Sequence, residues 1–295
     1  MEQDLIARAW ELLTPCRLCA RRCLARRLEG EIGQCRTTEL AVVASSGAHF
    51  GEEPVLVGKG GSGAIFFAGC NLDCVFCQNY NISHEPGGLP VTTPQLARLM
   101  LTLQERGCSN VNLVSPTHVA PQILEAILEA RHGGLRVPVI YNSGGYESLD
   151  MLRLLEGLID VYMPDFKYAS AASARKYSGI KDYPKVARAA LGEMFRQVGP
   201  LQLDEHDLAC RGVLVRHLVL PVDIGESQTV IDIVAEVAPG CAINIMDQYR
   251  PCYRAAEFPE LLVMPKRGEV RRLREYAESK GLVRMDQSPV RQEVG

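Results

Sequence analysis

Beyond residue 60 the chain alternates between two hydrophobic rhythms. Short apolar runs rich in Val, Ile and Leu read as strands covered on both faces: Gly63–Ala68, Asn110–Val114, Val137–Tyr141, Ile159–Met163, Val213–Leu220 and Ala242–Asp247. Between them apolar residues recur every three or four positions, the period of a helix with one buried face. Thr93-Pro94 supplies a cap and a proline in the first turn, Leu96, Leu99, Met100 and Leu103 trace the face, and Gly107 ends it. Pro121 opens a second helix that stops at Gly133-Gly134, and Leu149, Leu152 and Leu155 mark a third. Pro184 opens another, reaching about Gln197, followed by one carrying Ile231, Val234 and Val237 and a last carrying Val270, Leu273 and Ala277. The stretch Tyr168–Arg211 is long for one connection and predicts two helices with an irregular segment. Six such alternations predict an α/β fold wound about a parallel sheet. Spacing alone does not separate a partial barrel from an open doubly wound sheet.

The first 55 residues keep neither rhythm. Cys16, Cys19, Cys23 and Cys35 give C-x2-C-x3-C-x11-C beside Arg21, Arg22, Arg26 and Arg27. Four close thiolates suit structural Zn²⁺ or an auxiliary iron–sulfur cluster, and the arginines read as a solvated surface. The chain therefore divides into a small N-terminal cysteine-rich, metal-binding segment (1–55), a wound α/β body (56–282) and a tail (283–295).

Composition narrows the setting. With 47% hydrophobic and 23% charged residues and a formal net charge of −3, the chain reads as a soluble globule with no electrostatic case for nucleic acid. No apolar run approaches a membrane span, and the acidic start Met1-Glu2-Gln3-Asp4 is unlike a signal peptide, so a cytoplasmic location is expected. Eleven cysteines in a reducing compartment argue for metal ligation over disulfides. Cys108, Cys210, Cys241 and Cys252 have no partner at ligand spacing and read as buried or free thiols.

The most informative feature follows the first strand: Cys70, Cys74 and Cys77, spaced C-x3-C-x2-C on one loop. Three thiolates can hold three irons of a [4Fe–4S] cluster and leave the fourth without a protein ligand, as a catalytic zinc keeps one position open. That arrangement suits chemistry better than electron storage. Polar residues also follow the other strands: Ser115-Pro116-Thr117-His118, Asn142-Ser143-Gly144-Gly145, Pro164-Asp165-Phe166-Lys167, and Asp247-Gln248-Tyr249-Arg250, with Arg216 and His217 on the fifth strand. In a wound β/α fold those strand ends share one rim. His118 reads as a satisfied structural histidine rather than a substrate-facing one.

The cysteine triplet, the aromatic Phe76 before its third member and the continuation Cys77-Gln78-Asn79 resemble radical S-adenosylmethionine (SAM) proteins, and among them the pyruvate formate-lyase activating enzymes. The resemblance runs from about Gly61 to Arg250. It implies the partial (β/α)6 barrel of that superfamily, a [4Fe–4S] cluster on Cys70, Cys74 and Cys77, and SAM as cofactor. Cofactor contacts are implied for Phe76, Asn79, Ser115, Asn142, Ser143, Met163, Asp165, Lys167 and Arg216. Met163-Pro164-Asp165-Phe166-Lys167 matches a Met-Leu-Asp-Leu-Lys stretch of the family, and Val215–Pro221 a strand whose arginine approaches the SAM carboxylate or ribose. One departure stands out. The family's Gly-Gly-Glu after the second strand is replaced by Ser115-Pro116-Thr117-His118, so Ser115 and Thr117 would have to accept the bonds of the SAM amino group. The implied function is reductive cleavage of SAM to activate a glycyl radical enzyme, with a one-electron reductant such as flavodoxin or ferredoxin. The alternatives are a radical SAM enzyme acting on another protein or a small molecule, and a non-catalytic iron–sulfur electron carrier.

Overall fold

The computed structural model describes residues 2–84 and 87–285. Its strands are β1 (Ala41–His49), β2 (Ser62–Phe67), β3 (Leu89–Val91), β4 (Val111–Val114), β5 (Val139–Ser143), β6 (Val161–Pro164), β7 (Gln202–Leu203), β8 (Ala209–Leu218), β9 (Ala242–Met246) and β10 (Val283–Arg284). They form one sheet in the order β3-β1-β2-β4-β5-β6-β8-β9-β10, with β7 paired to β8 off that path. From β2 to β10 every neighbour on the path is parallel, while β1 runs antiparallel to β2 and β3. The six strands expected from the apolar runs are β2, β4, β5, β6, β8 and β9, neighbours in that order, and they make the partial (β/α)6 barrel.

The helices are α1 (Glu2–Glu11), α2 (Pro54–Val57), α3 (Tyr80–Ser83), α4 (Thr93–Glu105), α5 (Ala120–His132), α6 (Leu149–Leu154), α7 (Ala171–Ser178), α8 (Tyr183–Val198), α9 (Ser227–Val237) and α10 (Arg267–Ser279). Helix α4 is capped one residue earlier than expected, by Thr92 rather than Thr93: Thr92 and Gln95 form a reciprocal capping box around Pro94 in the first turn. Its Leu96, Ala97, Met100 and Leu103 are buried. The long connection after β6 carries two helices, α7 and α8, as its length required. Strand β5 starts two residues later than the apolar run suggested, because Pro138 has no N–H to give the ladder.

Periodicity missed the ends of the sheet. β1 pairs with β2 and so belongs to the barrel sheet, although it lies within the segment 1–55. β10 falls in the tail 283–295 yet pairs with β9; residues 286–295 of that tail lie outside the described residues. Helix α1 packs on α5, where Trp10 Nε1 donates to Glu125 Oε2 at 2.8 Å. No helix among the described residues is long and apolar enough to cross a membrane.

Strand alternation explains how an apolar interior carries a polar rim. Ile140, Met163, Leu214 and Ala242 are buried in one apolar cluster, which Leu56 of α2 completes. Two residues further along each strand, and therefore on the same face, stand Asn142, Asp165, Arg216 and Asn244. A larger cluster, on the helix-covered side, contains Leu113, Ile123, Tyr162 and Met194.

Candidate active site

A cavity of about 810 Å³ opens over that rim. Phe66, Val114, Asn142, Asp165, Arg216 and Asn244, one from each of the six barrel strands or the residue just beyond it, all line it. Register places the last three side by side, with Asp165 bridged to Arg216 and Arg216 paired with Asn244.

The loop after β2 brings Cys70, Cys74 and Cys77 onto the same cavity, and no other cysteine lines it. The loop leaves the strand through Gly69, whose φ of +83° suits only glycine and whose missing side chain admits the carbonyl of Cys35; a Cβ there would lie 2.4 Å from that oxygen. Each sulfur has a polar neighbour. The Leu72 N–H donates to Cys70 Sγ at 3.4 Å, Ser178 Oγ donates to Cys74 Sγ at 3.0 Å, and Cys77 Sγ lies 3.2 Å from Ser83 Oγ. Burial pushes the thiols up, Cys70 to about 12 and Cys74 to about 11, so both bind iron only by giving up a proton. Lys167, charged beside both, works in the other direction. Burial alone would lower Lys167, but Asp165 at 2.5 Å holds it well above its ordinary value and so protonated. This donor set fits a [4Fe–4S] cluster: three sulfurs on one loop, a polar neighbour for each, a nearby cation, and open space on the fourth side.

Of the residues implied as cofactor contacts, Phe76, Asn79, Ser115, Asn142, Ser143, Asp165, Lys167 and Arg216 line the cavity together with the cysteines. Phe76 is buried, edge-on to Tyr168 and Tyr249. Ser115 sits at φ +59°, its N–H bonded to the Asn142 carbonyl, which turns the chain at the rim. Met163 is not brought to the cavity; it is fully buried in the apolar layer one step beneath Asp165. His118 is a core histidine, its Nε2 2.8 Å from the Ala68 carbonyl oxygen, and burial lowers it to about 4, which keeps it neutral. His217 is likewise internal, spanning Phe166 O and Ser227 Oγ.

Arg216 departs from expectation. Its guanidinium does not stand free for a cofactor carboxylate but is bonded to Glu52 and Glu53, with Nε donating to Glu53 Oε1 at 2.8 Å. An unpaired guanidinium at this depth would be costly, and the two carboxylates ahead of α2 supply the counter-charge. Asn244 and Asn112 donate to Glu53 and Glu52 at 2.7 and 3.2 Å. Sequence reasoning missed Glu52, Glu53 and Asn244. The signal available was an acidic pair immediately before the helix-opening Pro54, in the loop between strands one of which carries no clear period.

Comparisons with known proteins agree with this geometry. Residues 64–197 match the model of the radical SAM superfamily. The uncharacterized protein MJ0674 of Methanocaldococcus jannaschii is 31% identical over 277 residues, covering 90% of this chain and 75% of its own. Among solved structures, HydG, a maturase of the [FeFe]-hydrogenase, superimposes with a TM-score of 0.50 at 13% identity, covering 72% of this chain and 47% of that one. SuiB of Streptococcus suis bound to S-adenosylmethionine gives 0.50 at 12% identity, covering 74% and 48%. The chain thus spans about half the length of these two structures, and the likeness is one of fold. With the family match running over the cysteine loop and the barrel strands β2, β4, β5 and β6, and a relative aligned along nine-tenths of this chain, the chain belongs to the radical SAM superfamily.

Proposed function

We propose that this protein binds SAM in the rim cavity, cleaves it reductively and abstracts a hydrogen atom from a glycyl radical enzyme. The observation that carries the reading is the convergence of Cys70, Cys74 and Cys77 with the strand-end side chains on one cavity. A [4Fe–4S] cluster bound there would supply one electron to the sulfonium, yielding methionine and a 5′-deoxyadenosyl radical. The chain's part is placement. Ser115, Asn142 and Ser143 offer hydroxyl and amide groups to the amino group and ribose of SAM without adding charge. Phe76, Leu72, Leu218 and Met246 give the cavity apolar walls that exclude water and stray hydrogen donors. Asp165 and Lys167 stay paired, so they present hydrogen-bonding groups with little net charge.

The glycyl radical partner is supported by the Cys77-Gln78-Asn79 continuation and the Asp165–Lys167 stretch. A second reading is favoured by the cavity itself. A volume of about 810 Å³ is at the upper end for a small-molecule site, and its floor sets two carboxylates against one arginine. That floor suits a small polar or cationic substrate. A pure electron carrier needs neither the cavity nor a three-cysteine loop.

Anaerobically reconstituted protein incubated with SAM and dithionite is expected to release 5′-deoxyadenosine; none would overturn both readings. If it forms, a glycyl radical signal raised by electron paramagnetic resonance in a glycyl radical enzyme of the same organism supports the first reading. Its absence, with deuterium from a labelled small substrate entering 5′-deoxyadenosine, replaces the first with the second.

A further inference from the structure

We propose that Cys16, Cys19, Cys23 and Cys35 bind one Zn²⁺, and that this metal knot braces the loop carrying Cys70, Cys74 and Cys77 from behind. The four cysteines are gathered by turns. Cys16 N–H donates to Ala25 O and Leu24 N–H returns to Cys16 O, with Arg22 and Leu24 at positive φ folding the chain around Cys23. Cys35 sits in a tight turn closed by Arg36 N–H to Gly33 O, and a Cβ on Gly33 would touch the sulfurs of both Cys35 and Cys23. Cys16 and Cys23 are near neighbours, and Cys19 lies near Cys16 and Cys35.

Two further features suit these sulfurs to a bound cation. Backbone N–H groups are aimed at them two residues on: Leu18 at Cys16, Arg21 at Cys19 and Ala25 at Cys23, with Gln34 adding a second to Cys23. Leu72 does the same to Cys70 in the cluster loop. Donors of this kind stabilise thiolates more than thiols. The second feature is Arg27, expected on the surface but fully buried. Its guanidinium donates to the neutral oxygens of Thr38, His118 and Thr37. None of these acceptors is a carboxylate, and Cys16 and Cys23 lie beside it. A buried cation needs a buried anion, and four thiolates on a divalent ion provide one.

Tetrahedral Zn–S bonds of about 2.3 Å would set the four sulfurs about 3.8 Å apart, a compact arrangement that the tight turns around Cys23 and Cys35 suit. Among the described residues no three such side chains yet converge on one point, so loading draws the sulfurs in by rotation on turns already formed. The bracing contacts are specific. The Cys35 carbonyl fills the space at Gly69, Arg21 Nε donates to the Asn71 carbonyl, and Arg36 pairs with Asp73 at 3.3 Å.

The test compares metal content in the full chain and two variants, each purified anaerobically. The wild type and the Cys70→Ala/Cys74→Ala/Cys77→Ala variant are expected to carry about one zinc per chain with four sulfurs at about 2.3 Å by X-ray absorption, and Cys23→Ser/Cys35→Ser to carry none. The triple variant reads the zinc site even if the cluster assignment fails. Chelated and reloaded with Co²⁺, it should show thiolate-to-cobalt charge transfer. Substoichiometric zinc in both proteins with an intact N-terminal cysteine set, or iron in place of zinc in the triple variant, overturns the zinc assignment. For the brace, Cys23→Ser/Cys35→Ser is expected to surrender cluster iron to a chelator several-fold faster than wild type; an unchanged rate overturns that role.

Discussion

Glu53 and Arg216 form a buried ion pair across the barrel, joining the segment ahead of α2 to the end of β8, with Arg216 Nε 2.8 Å from Glu53 Oε1. The Glu53 side chain is only 2% exposed and that of Arg216 14%. Removing one partner strands the other in low dielectric. Arg216→Ala, which leaves Glu52 and Glu53 facing each other, is expected to cost about 3–5 kcal/mol in urea unfolding of the metal-free protein. A loss within the range of an exposed pair, about 0–1 kcal/mol, would mean that water reaches the floor of the cavity.

The same pair sets a pH dependence. Burial raises the Glu53 carboxyl, but the charge and hydrogen bonds of Arg216, with the bond from Asn244, outweigh it and hold the group below its ordinary value of 4.5. A depressed carboxylate contributes stability that is fully present above its unfolded value and lost as pH falls through the folded one. The stability gap between wild type and Glu53→Gln is therefore expected to stay level from neutral pH down to about pH 5 and to close below it. Urea midpoints measured across that range decide the matter; a gap that closes toward alkaline pH has the wrong sign.

Ser178 reaches from the end of α7 to donate to Cys74 Sγ at 3.0 Å. Hydrogen bonds to ligand sulfurs favour the reduced cluster. Ser178→Ala is expected to shift the cluster's midpoint potential to more negative values, with little change in iron content. A redox titration followed by electron paramagnetic resonance reads the shift, and an unchanged potential would remove Ser178 from the cluster's environment.

Gly69→Ala places a methyl 2.4 Å from the Cys35 carbonyl oxygen at a φ of +83°. The backbone strain alone costs about 1–2 kcal/mol, and the clash adds to it by displacing either the cluster loop or the N-terminal knot. We expect a loss of at least about 2 kcal/mol in stability together with reduced iron retention. A variant as stable as wild type would show that the two segments are not in contact.

Much of this molecule is legible in the chain. The six parallel strands follow from apolar runs too short for helices, and their order from the rule that a strand and helix wind back onto the same sheet. Pro94 and the threonines before it mark the start of α4 by local capping chemistry, to within the one residue that separates Thr93 from the actual cap, Thr92. The triplet Cys70, Cys74 and Cys77 is local too, since one loop carries all three cysteines. By contrast, β1 (Ala41–His49) is only partly buried and ends in exposed residues, so its hydrophobic pattern is weak, and pairing with β2 is what makes it a strand. Arg27 looked like one more surface charge among its neighbours, and only the packing of the N-terminal turns against His118 takes it inside.

Taken by itself, the amino-acid order determined the wound α/β class, the three-cysteine loop and the polar character of the strand ends, because each depends on residues within a few positions of one another. Tertiary structure decided what those strand ends face. Glu53 and Arg216, 163 positions apart, meet because the barrel closes their strands' surroundings around one cavity, and Cys35 meets Gly69 because a glycine leaves room for a carbonyl. Pairing of buried charge and close backbone approach are properties of three-dimensional neighbourhoods, and no local pattern along a chain encodes them.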